Sequence, residues 1–306
     1  MCGIVGLLLK NRAWHEQLGE LATPMLQCMS TRGADSCGLA VFHRPLPLEK
    51  RRFSLYVADR DYDWQSFHAG FSSGTGGDAR LESRFNHATE VTATPEADVR
   101  GWLRRSHPDV HLLSVGRVID IFKDEGRPEE IAERFGFRDL QGTHAVGHTR
   151  MATESAVSPA HAHPFSAGQD FCLVHNGSLS NPYSVRRRLE RRGIAFETDN
   201  DTEAGCRFLE WRMREGDTLE QAIEKSFRVL DGFYTFLMAT ADKMVLVRDP
   251  FACKPAVVAE TADYVAVSSE FRSLAHLPGI READVYEPAP EQIYSWTLSS
   301  NLTSRN

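Results

Sequence analysis

The chain has 306 residues, of which 42% are hydrophobic and 25% charged, a composition typical of one large globular domain or two small ones. Its formal net charge of −7 is opposite in sign to what a nucleic-acid-binding surface needs, so we expect no nucleic-acid partner. No apolar run approaches the ~18 residues that span a bilayer, and the start of the chain lacks the pattern of a secretory signal. We therefore expect a cytoplasmic protein without a membrane partner.

Short apolar runs bounded by turn residues predict β-strands. They cover Gly3–Leu9, 38–42, 171–175, Gly232–Ala239, 244–247, 256–258, 265–268 and 293–297. Apolar residues three or four positions apart predict helices. One set comprises Trp14, Leu18, Leu21, Met25 and Met29, and a later set comprises Leu219, Ile223, Phe227 and Leu230. Because helices and strands do not alternate strictly, the pattern favours a layered α+β fold over a parallel doubly wound sheet.

A third helix is predicted from turn chemistry. Asn181 is placed as its cap, Pro182 lies in its first turn, and Gly193 ends a run of exposed basic residues. This basic run is interpreted as a solvated helix face, with docking to an acidic partner as the alternative.

Residues 44–143 are interpreted as an insertion within a single domain that covers residues 1–306. The part 72–100 is rich in Gly, Ser, Thr, Asn and charged residues and has little periodicity, which predicts an irregular loop. An apolar run follows at 111–122, and Pro128 opens a short helix.

The six cysteines are scattered, without any Cys-x-x-Cys pair. They are Cys2, Cys28, Cys37, Cys172, Cys206 and Cys253. This spacing argues against a disulfide framework, a structural zinc site and an iron–sulfur site, so we expect most of these side chains to be buried. Cys2 differs from the others because it directly follows Met1 and precedes an apolar run.

Four short strings contain groups suited to one reaction. They are MCGIVG at 1–6, GHTRMAT at 147–153, HNGSL at 175–179 and TDNDTE at 198–203. Each string alone is a weak indication, since His-Asn-Gly is also a sequence that forms hairpin turns. Their order in the chain, with a cysteine directly behind the initiating methionine, is specific.

With these strings, the chain resembles the class II glutamine amidotransferases of the N-terminal nucleophile hydrolase superfamily. The resemblance covers the first forty residues and roughly residues 144–275, and includes TRGADSCG at 31–38, RDPFACKP at 248–255 and SSE at 268–270. It implies a four-layer αββα sandwich of two antiparallel sheets faced by helices. It also implies hydrolysis of the glutamine side-chain amide, with glutamine or glutamate as the small-molecule ligand.

The resemblance assigns the catalytic groups. Cys2 would become the first residue on removal of Met1, and its thiol would be the nucleophile. An α-amine with a pKa near ~7.7 is a suitable base for that thiol, and only an N-terminal residue has one. Asn176, through its side chain, and Gly177, through its backbone N–H, match the donors that stabilise the oxyanion. For Cys2 the alternative is a buried cysteine in a strand. For Asn176 and Gly177 the alternative is a simple turn.

The same resemblance assigns the substrate-binding groups. Arg150 matches the residue that holds the substrate α-carboxylate, a task suited to its planar guanidinium. Asp201 matches the carboxylate that pairs with the substrate α-amine, and Thr153 completes the binding of the substrate. For Arg150 and Asp201 the alternative is a structural ion pair or a helix N-cap, since a helical run begins at Asp201. Glu154 stands where some relatives have histidine, which leaves the details of substrate closure open.

The supporting residues are Arg32, Asp35 and His148. Arg32 and Asp35 are expected to brace the surroundings of the nucleophile rather than to touch substrate. His148, His161, His163 and His175 suggest a metal site, but no ligand pattern such as His-Glu-x-x-His occurs, so neither a metal nor a cofactor is predicted in this chain.

The released ammonia needs an acceptor. The sequence has neither a Gly-x-x-x-x-Gly-Lys-[Ser/Thr] loop nor a Gly-x-Gly-x-x-Gly string after a strand, so we expect the acceptor chemistry on another polypeptide. The insertion resembles that of stand-alone amidotransferase subunits of glutamate-synthase-like complexes, such as N-methylglutamate synthase. That resemblance implies glutamate-synthase-like partner subunits, in which FMN and an iron–sulfur cluster would be bound.

Three other hypotheses remain open. The first is a plain glutaminase subunit that donates ammonia. A non-catalytic regulatory subunit of the same kind of complex would bind glutamine or glutamate without turnover. A structural protein that uses Cys2 as a redox or metal-binding thiol is a poorer explanation, because it accounts for none of Arg150, Asn176 or Asp201.

Overall fold

The computed structural model describes residues 2–151 and 158–298. Its helices are α1 Leu18–Cys28, α2 Trp64–Thr75, α3 Glu96–Ser106, α4 Pro128–Arg134, α5 Pro182–Glu190, α6 Asp201–Arg214 and α7 Leu219–Ser226. Its strands are β1 Gly3–Leu9, β2 Ser36–Phe42, β3 Arg51–Tyr56, β4 Ala79–Arg84, β5 His87–Thr92, β6 His111–Gly116, β7 Ile119–Glu125, β8 His144–Arg150, β9 Phe165–Ser166, β10 Cys172–Leu179, β11 Gly232–Ala239, β12 Lys243–Arg248, β13 Val257–Glu260, β14 Tyr264–Ser268, β15 Asp284–Tyr286 and β16 Tyr294–Thr297.

Two antiparallel sheets form the centre of the molecule. The first has seven strands in the order β15-β13-β14-β1-β8-β2-β7, and the second has five in the order β16-β12-β11-β10-β9. Every residue of β1 is buried, as expected for an apolar strand that is covered on both faces. β1 therefore lies inside the first sheet, between β14 and β8.

Alternating side chains of β1 pack into two different cores. Leu7 and Leu9 face α1, whereas Ile4 and Leu8 pack between the two sheets. On the far side of the second sheet, β10 and β11 pack against α5, α6 and α7. The result is the four-layer αββα sandwich of two antiparallel sheets that the family resemblance implies, so the predicted fold class is confirmed.

The predicted helices differ from the observed ones near their first turns. Trp14 belongs to the 3₁₀ helix Arg12–Gln17, and the α-helix begins only at Leu18. Asn181 precedes α5, but its side chain does not cap that helix: it donates to the Val229 carbonyl at 2.9 Å and accepts from the Asp231 N–H at 3.1 Å. Asn181 therefore occupies the N-cap position, as predicted, but its side chain bonds to residues 229 and 231 rather than to the helix.

Residues 44–143 contain a third sheet of their own. It has four strands in the order β4-β5-β3-β6, and its core includes Phe53, Phe67, Phe71 and Trp102. The predicted irregular loop at 72–100 is wrong, because that stretch contains β4, β5 and parts of α2 and α3. β7 and α4 lie in the same part of the chain but join the first sheet and its helical layer. The interpretation as an insertion within one domain stays a prediction.

The cysteines occupy varied environments. All six lie in the described residues as free thiols, three of them buried, with Cys2 and Cys28 half-buried and Cys253 exposed. Burial raises the pKa of the thiols of Cys37 and Cys172. Within residues 2–151 and 158–298, the structure has no helix of the length and apolar character needed to cross a bilayer.

Candidate active site

The predicted nucleophile and the predicted oxyanion donor lie at the same end of the space between the two main sheets. On β1, Ile4 faces the second sheet, and Cys2 precedes it by two residues. On β10, Val174 faces the first sheet, and Asn176 follows it by two residues. Side chains two residues apart on an extended chain point the same way. Cys2 therefore lies on the same face as Ile4, and Asn176 on the same face as Val174, at the edge of the apolar core between the sheets.

Strand pairing places Arg150, the predicted carboxylate-binding residue, next to Cys2. Gly3 on β1 pairs with Thr149 on β8, so Cys2 and Arg150 are the next residues of the two antiparallel strands. The Cys2 Sγ lies 3.9 Å from the Met151 carbonyl oxygen. Arg150 is 6% exposed, so its guanidinium-bearing side chain belongs to the protein interior rather than to the surface.

Arg32 holds the backbone of the predicted nucleophile. Its Nε donates to the Cys2 carbonyl oxygen at 3.0 Å, and its Nη1 donates to Glu270 Oε1 at 3.0 Å. Burial acts to raise the pKa of Glu270, but hydrogen bonds from Arg32 and Arg272 outweigh it and hold that pKa below its ordinary value. The Arg32 side chain thus contacts the backbone of Cys2, and its bracing role stays a prediction.

The turn that follows Arg32 packs on the backbone of Arg150. A Cβ atom on Gly33 would lie 2.5 Å from the Arg150 carbonyl carbon, so only glycine permits this approach. The Asp35 N–H donates to the Arg150 carbonyl oxygen at 3.1 Å. Gly33 and Asp35 therefore fix where β8 ends.

The predicted oxyanion donors have distinctive geometry. Asn176 is 2% exposed, and its Nδ2 has no hydrogen-bond partner among the described residues. Gly177 has φ +149°, and a Cβ there would lie 2.0 Å from the Phe233 carbonyl oxygen. A buried amide donor without a protein partner is costly unless something else accepts its protons, and a developing oxyanion is such an acceptor.

The string 248–255 holds the strand beside the predicted oxyanion donors. Gly177 pairs with Tyr234 on β11, and the Tyr234 N–H donates to Asp249 Oδ2 at 2.8 Å. Arg248 Nη1 donates to Glu287 Oε1 and to the Pro288 carbonyl oxygen, both at 2.8 Å. This string therefore supports the sheet behind the site.

Asp201 begins α6 but does not cap it. The cap is Asn200, whose Oδ1 accepts from the Thr202 N–H at 2.8 Å, so the alternative of an Asp201 N-cap is wrong. Asp201 Oδ2 instead accepts from the Leu179 N–H at 2.9 Å and ties the helix to the end of β10. Its contact with a substrate amine stays a prediction.

Three of the four noted histidines form one buried cluster. His148 Nε2 donates to the His175 carbonyl oxygen at 3.0 Å, and the His148 ring stacks on that of His163 at 4.0 Å. Burial lowers the pKa of His148 to about 3, so its ring is neutral. His161 lies apart and pairs with the exposed Asp199 at 2.9 Å. The part of the chain that the structure describes has no group of His, Cys, Asp or Glu side chains that could hold a metal ion.

Some predicted residues cannot be placed. Thr153 lies outside the described residues, as do Met1 and Glu154. Sequence patterns did not predict the histidine contacts described above or the Arg32–Glu270 pair. The only signals were the His-x-His spacing at 161–163 and the resemblance at 268–270, which drew attention to those segments without giving their partners.

Comparisons with known proteins show what the chain is similar to. Residues 148–276 match the family model described as a glutamine amidotransferase domain. The chain is 45% identical to the Glutamine amidotransferase-like protein GlxB of Rhizobium meliloti (strain 1021), over 97% of this chain and 98% of that protein. It is 31% identical over 142 residues to the Glutamine–fructose-6-phosphate aminotransferase (isomerizing) of Thermococcus kodakarensis, which is 44% of this chain and 23% of that protein.

The fold also has a solved counterpart. The structure of glutamine phosphoribosylpyrophosphate amidotransferase from B. subtilis aligns with a TM-score of 0.61 and 19% sequence identity. The alignment covers 98% of this chain and 50% of that chain.

The glycine at the predicted oxyanion position, Gly177, should not tolerate a side chain. We expect Gly177→Ala to lower the free energy of unfolding by at least ~2 kcal/mol, because the added Cβ meets a carbonyl oxygen in a backbone conformation that disfavours side chains. Urea unfolding measures this change.

Gly193→Ala is the matched control, since Gly193 also has positive φ but no atom lies near its added Cβ; we expect a loss of only ~1 kcal/mol. Equal losses in the two variants would contradict the predicted clash at Gly177.

Burial of neutral His148 should make the protein sensitive to acid. The unfolded chain binds a proton at this side chain below pH 6.5, whereas the folded protein binds it only near pH 3. The free energy of unfolding should therefore fall as pH falls through this window, by up to ~1.4 kcal/mol per pH unit from this residue. Urea unfolding at pH 7.5 and pH 5 should show a shallower loss in His148→Gln. An unchanged loss would show that His148 does not bind a proton on unfolding.

Proposed function

Because the chain belongs to the glutamine amidotransferase family, we propose that it releases ammonia from the side-chain amide of glutamine through a thioester on Cys2. The observation that carries this proposal is the buried Asn176 Nδ2, which has no protein partner among the described residues. Asn176 lies on the face of β10 that is turned toward β1, and Cys2 directly precedes β1. Such preorganised donors stabilise negative charge in a site that excludes water.

The reaction proceeds in two halves. Once Met1 is removed, the α-amine of Cys2 takes the thiol proton and the thiolate attacks the amide carbon of glutamine, which forms a C–S bond. The carbonyl oxygen becomes an oxyanion that accepts hydrogen bonds from the Asn176 side chain and the Gly177 N–H. The C–N bond then breaks, and the amine leaves with the transferred proton as ammonia. Water attacks the remaining thioester and releases glutamate and the free thiol.

Three residues hold the substrate backbone in this proposal. Arg150 binds the α-carboxylate with two parallel N–H donors, for which its planar guanidinium is well suited. Asp201 accepts from the α-amine, and Thr153 completes the contact. Support comes from the burial of Arg150 at the end of β8 and from the attachment of Asp201 to the end of β10.

We further propose that the ammonia passes to a partner subunit of a glutamate-synthase-like complex, with N-methylglutamate synthase as the specific case. The support is the resemblance of the insertion at 44–143 to that of the stand-alone amidotransferase subunits of such complexes. In such a complex, FMN and an iron–sulfur cluster would be held by partner subunits, and this chain would supply the nitrogen in the cytoplasm.

Glutamine turnover tests the role of Cys2. We expect the purified protein, with loss of Met1 verified by mass, to form ammonia and glutamate in equal amounts from glutamine. Cys2→Ala should abolish turnover because the nucleophile is lost. Cys253→Ala is the matched control and should keep full turnover, since the Cys253 thiol is exposed and is none of the proposed catalytic or substrate-binding groups. Binding of glutamate without ammonia release would contradict the proposal and favour the non-catalytic regulatory subunit.

Asn176 tests the oxyanion assignment. We expect Asn176→Ala to lower kcat by ~10²–10³-fold with little change in KM, because its side chain donates only to the charge that forms in the transition state. Steady-state kinetics measure both parameters. A rise in KM at constant kcat would instead assign Asn176 to binding of ground-state glutamine.

A further inference from the structure

Thr202 lies between two of the buried histidines. Its hydroxyl oxygen is 3.2 Å from His163 Nε2 and 3.0 Å from His175 Nδ1. All three side chains are buried, with exposed fractions of 0% for Thr202, 5% for His163 and 3% for His175. Thr202 follows Asp201 in the first turn of α6, so this contact joins that helix to β10.

The protonation of His163 follows from its partners. The His175 N–H, which can only donate, lies 3.3 Å from His163 Nδ1, so Nδ1 accepts and carries no proton. Burial lowers the pKa of His163 well below its ordinary value, and the neighbouring charge of Arg150 and Lys123 acts in the same direction. The neutral ring therefore carries its proton on Nε2 and donates it to the Thr202 hydroxyl oxygen.

The Thr202 hydroxyl then determines which ring nitrogen of His175 carries the proton. Because the Thr202 oxygen accepts from His163, its own O–H donates, and its nearer acceptor is His175 Nδ1 at 3.0 Å rather than Asp201 Oδ1 at 3.4 Å. Burial lowers the pKa of His175, an effect that Asp201 opposes and Lys254 assists. A neutral His175 whose Nδ1 accepts a hydrogen bond carries its proton on Nε2.

The opposite assignment loses a different hydrogen bond. A proton on His175 Nδ1 would require the Thr202 oxygen to accept two hydrogen bonds and to donate across 3.4 Å to Asp201. With the proton on Nε2, the Thr202 hydroxyl makes both of its shorter contacts, and the buried Nε2–H has no acceptor among the described residues.

These contacts hold the backbone beside the oxyanion donors. The His175 N–H donates to His163, its carbonyl oxygen accepts from His148, and its ring contacts Thr202. The ring also lies directly under Gly177, where a Cβ would be 2.8 Å from His175 Nε2. Asn176 and Gly177 thus follow a residue that is fixed through its backbone N–H, its carbonyl and its ring.

We propose that Thr202, His163 and His175 form a neutral hydrogen-bond relay, in which the Thr202 hydroxyl fixes His175 with its proton on Nε2 and so positions Asn176 and Gly177 for the oxyanion. Thr202 is a positioning residue, because it acts through His175 and does not touch the reacting atoms. The kinetic consequence rests on the proposed function, whereas the protonation pattern does not.

Nitrogen NMR of the full chain tests the protonation pattern directly. With ¹⁵N-labelled histidine, and with His163→Asn and His175→Asn to assign the signals, we expect both rings to be neutral and protonated on Nε2. Thr202→Val keeps the size of the side chain but removes the hydroxyl, so the His175 signals should shift toward the other tautomer or a mixture. Thr202→Ser should retain the wild-type signals. A proton on His175 Nδ1 in the unmodified protein would overturn the proposal.

Kinetics test the positioning role. We expect Thr202→Val to lower kcat ~10-fold or more with KM for glutamine nearly unchanged, since a small displacement of catalytic groups is costly. Thr202→Ser should restore kcat, which separates loss of the hydroxyl from general damage. A wild-type kcat in Thr202→Val would overturn the positioning role. If the unmodified protein does not hydrolyse glutamine, the proposed function and the positioning role both fail, while the NMR result still decides the relay.

Discussion

Antiparallel pairing of β1 with β8 is the constraint on which the candidate site depends. The first residues of a chain are usually mobile, but here Gly3 pairs inside a seven-stranded sheet. The backbone ladder sets Cys2 beside Arg150, and Arg32 holds the Cys2 carbonyl. Strand pairing at Gly3 and the hydrogen bond from Arg32 give Cys2 a fixed position, which the proposed nucleophile needs.

The second sheet supplies the other half of the site by a different kind of bonding. Along most of their length the two main sheets meet through apolar side chains such as Ile4 and Val174. At the end where Cys2 and Asn176 lie, hydrogen bonds among neutral histidines connect the two sheets instead. One of them runs from His148 on β8 to the backbone of β10. Burial keeps these rings uncharged, so they connect the sheets without placing an unpaired charge in the interior.

Sequence patterns predicted the layers where apolar residues dominate and failed where polar residues form the structure. β1 and β11 are apolar enough to be recognised directly. β4 was missed because it is a partly exposed edge strand that contains charged residues. Without alternating apolar residues, its sequence looks like that of a loop. The four short strings identified Cys2 and Asn176 as site residues. The partners of His163, in contrast, depend on how α6 packs on β10, which a local sequence pattern cannot predict.

Labelling with a diazoketone analogue of glutamine, followed by peptide mass spectrometry, tests the central claim most directly. The account predicts that the N-terminal peptide begins at Cys2, without Met1, and carries one adduct on the Cys2 sulfur. Retention of Met1 would contradict the account because it blocks the α-amine that serves as the base. An adduct on another thiol, such as the exposed Cys253, with Cys2 unmodified would contradict it equally.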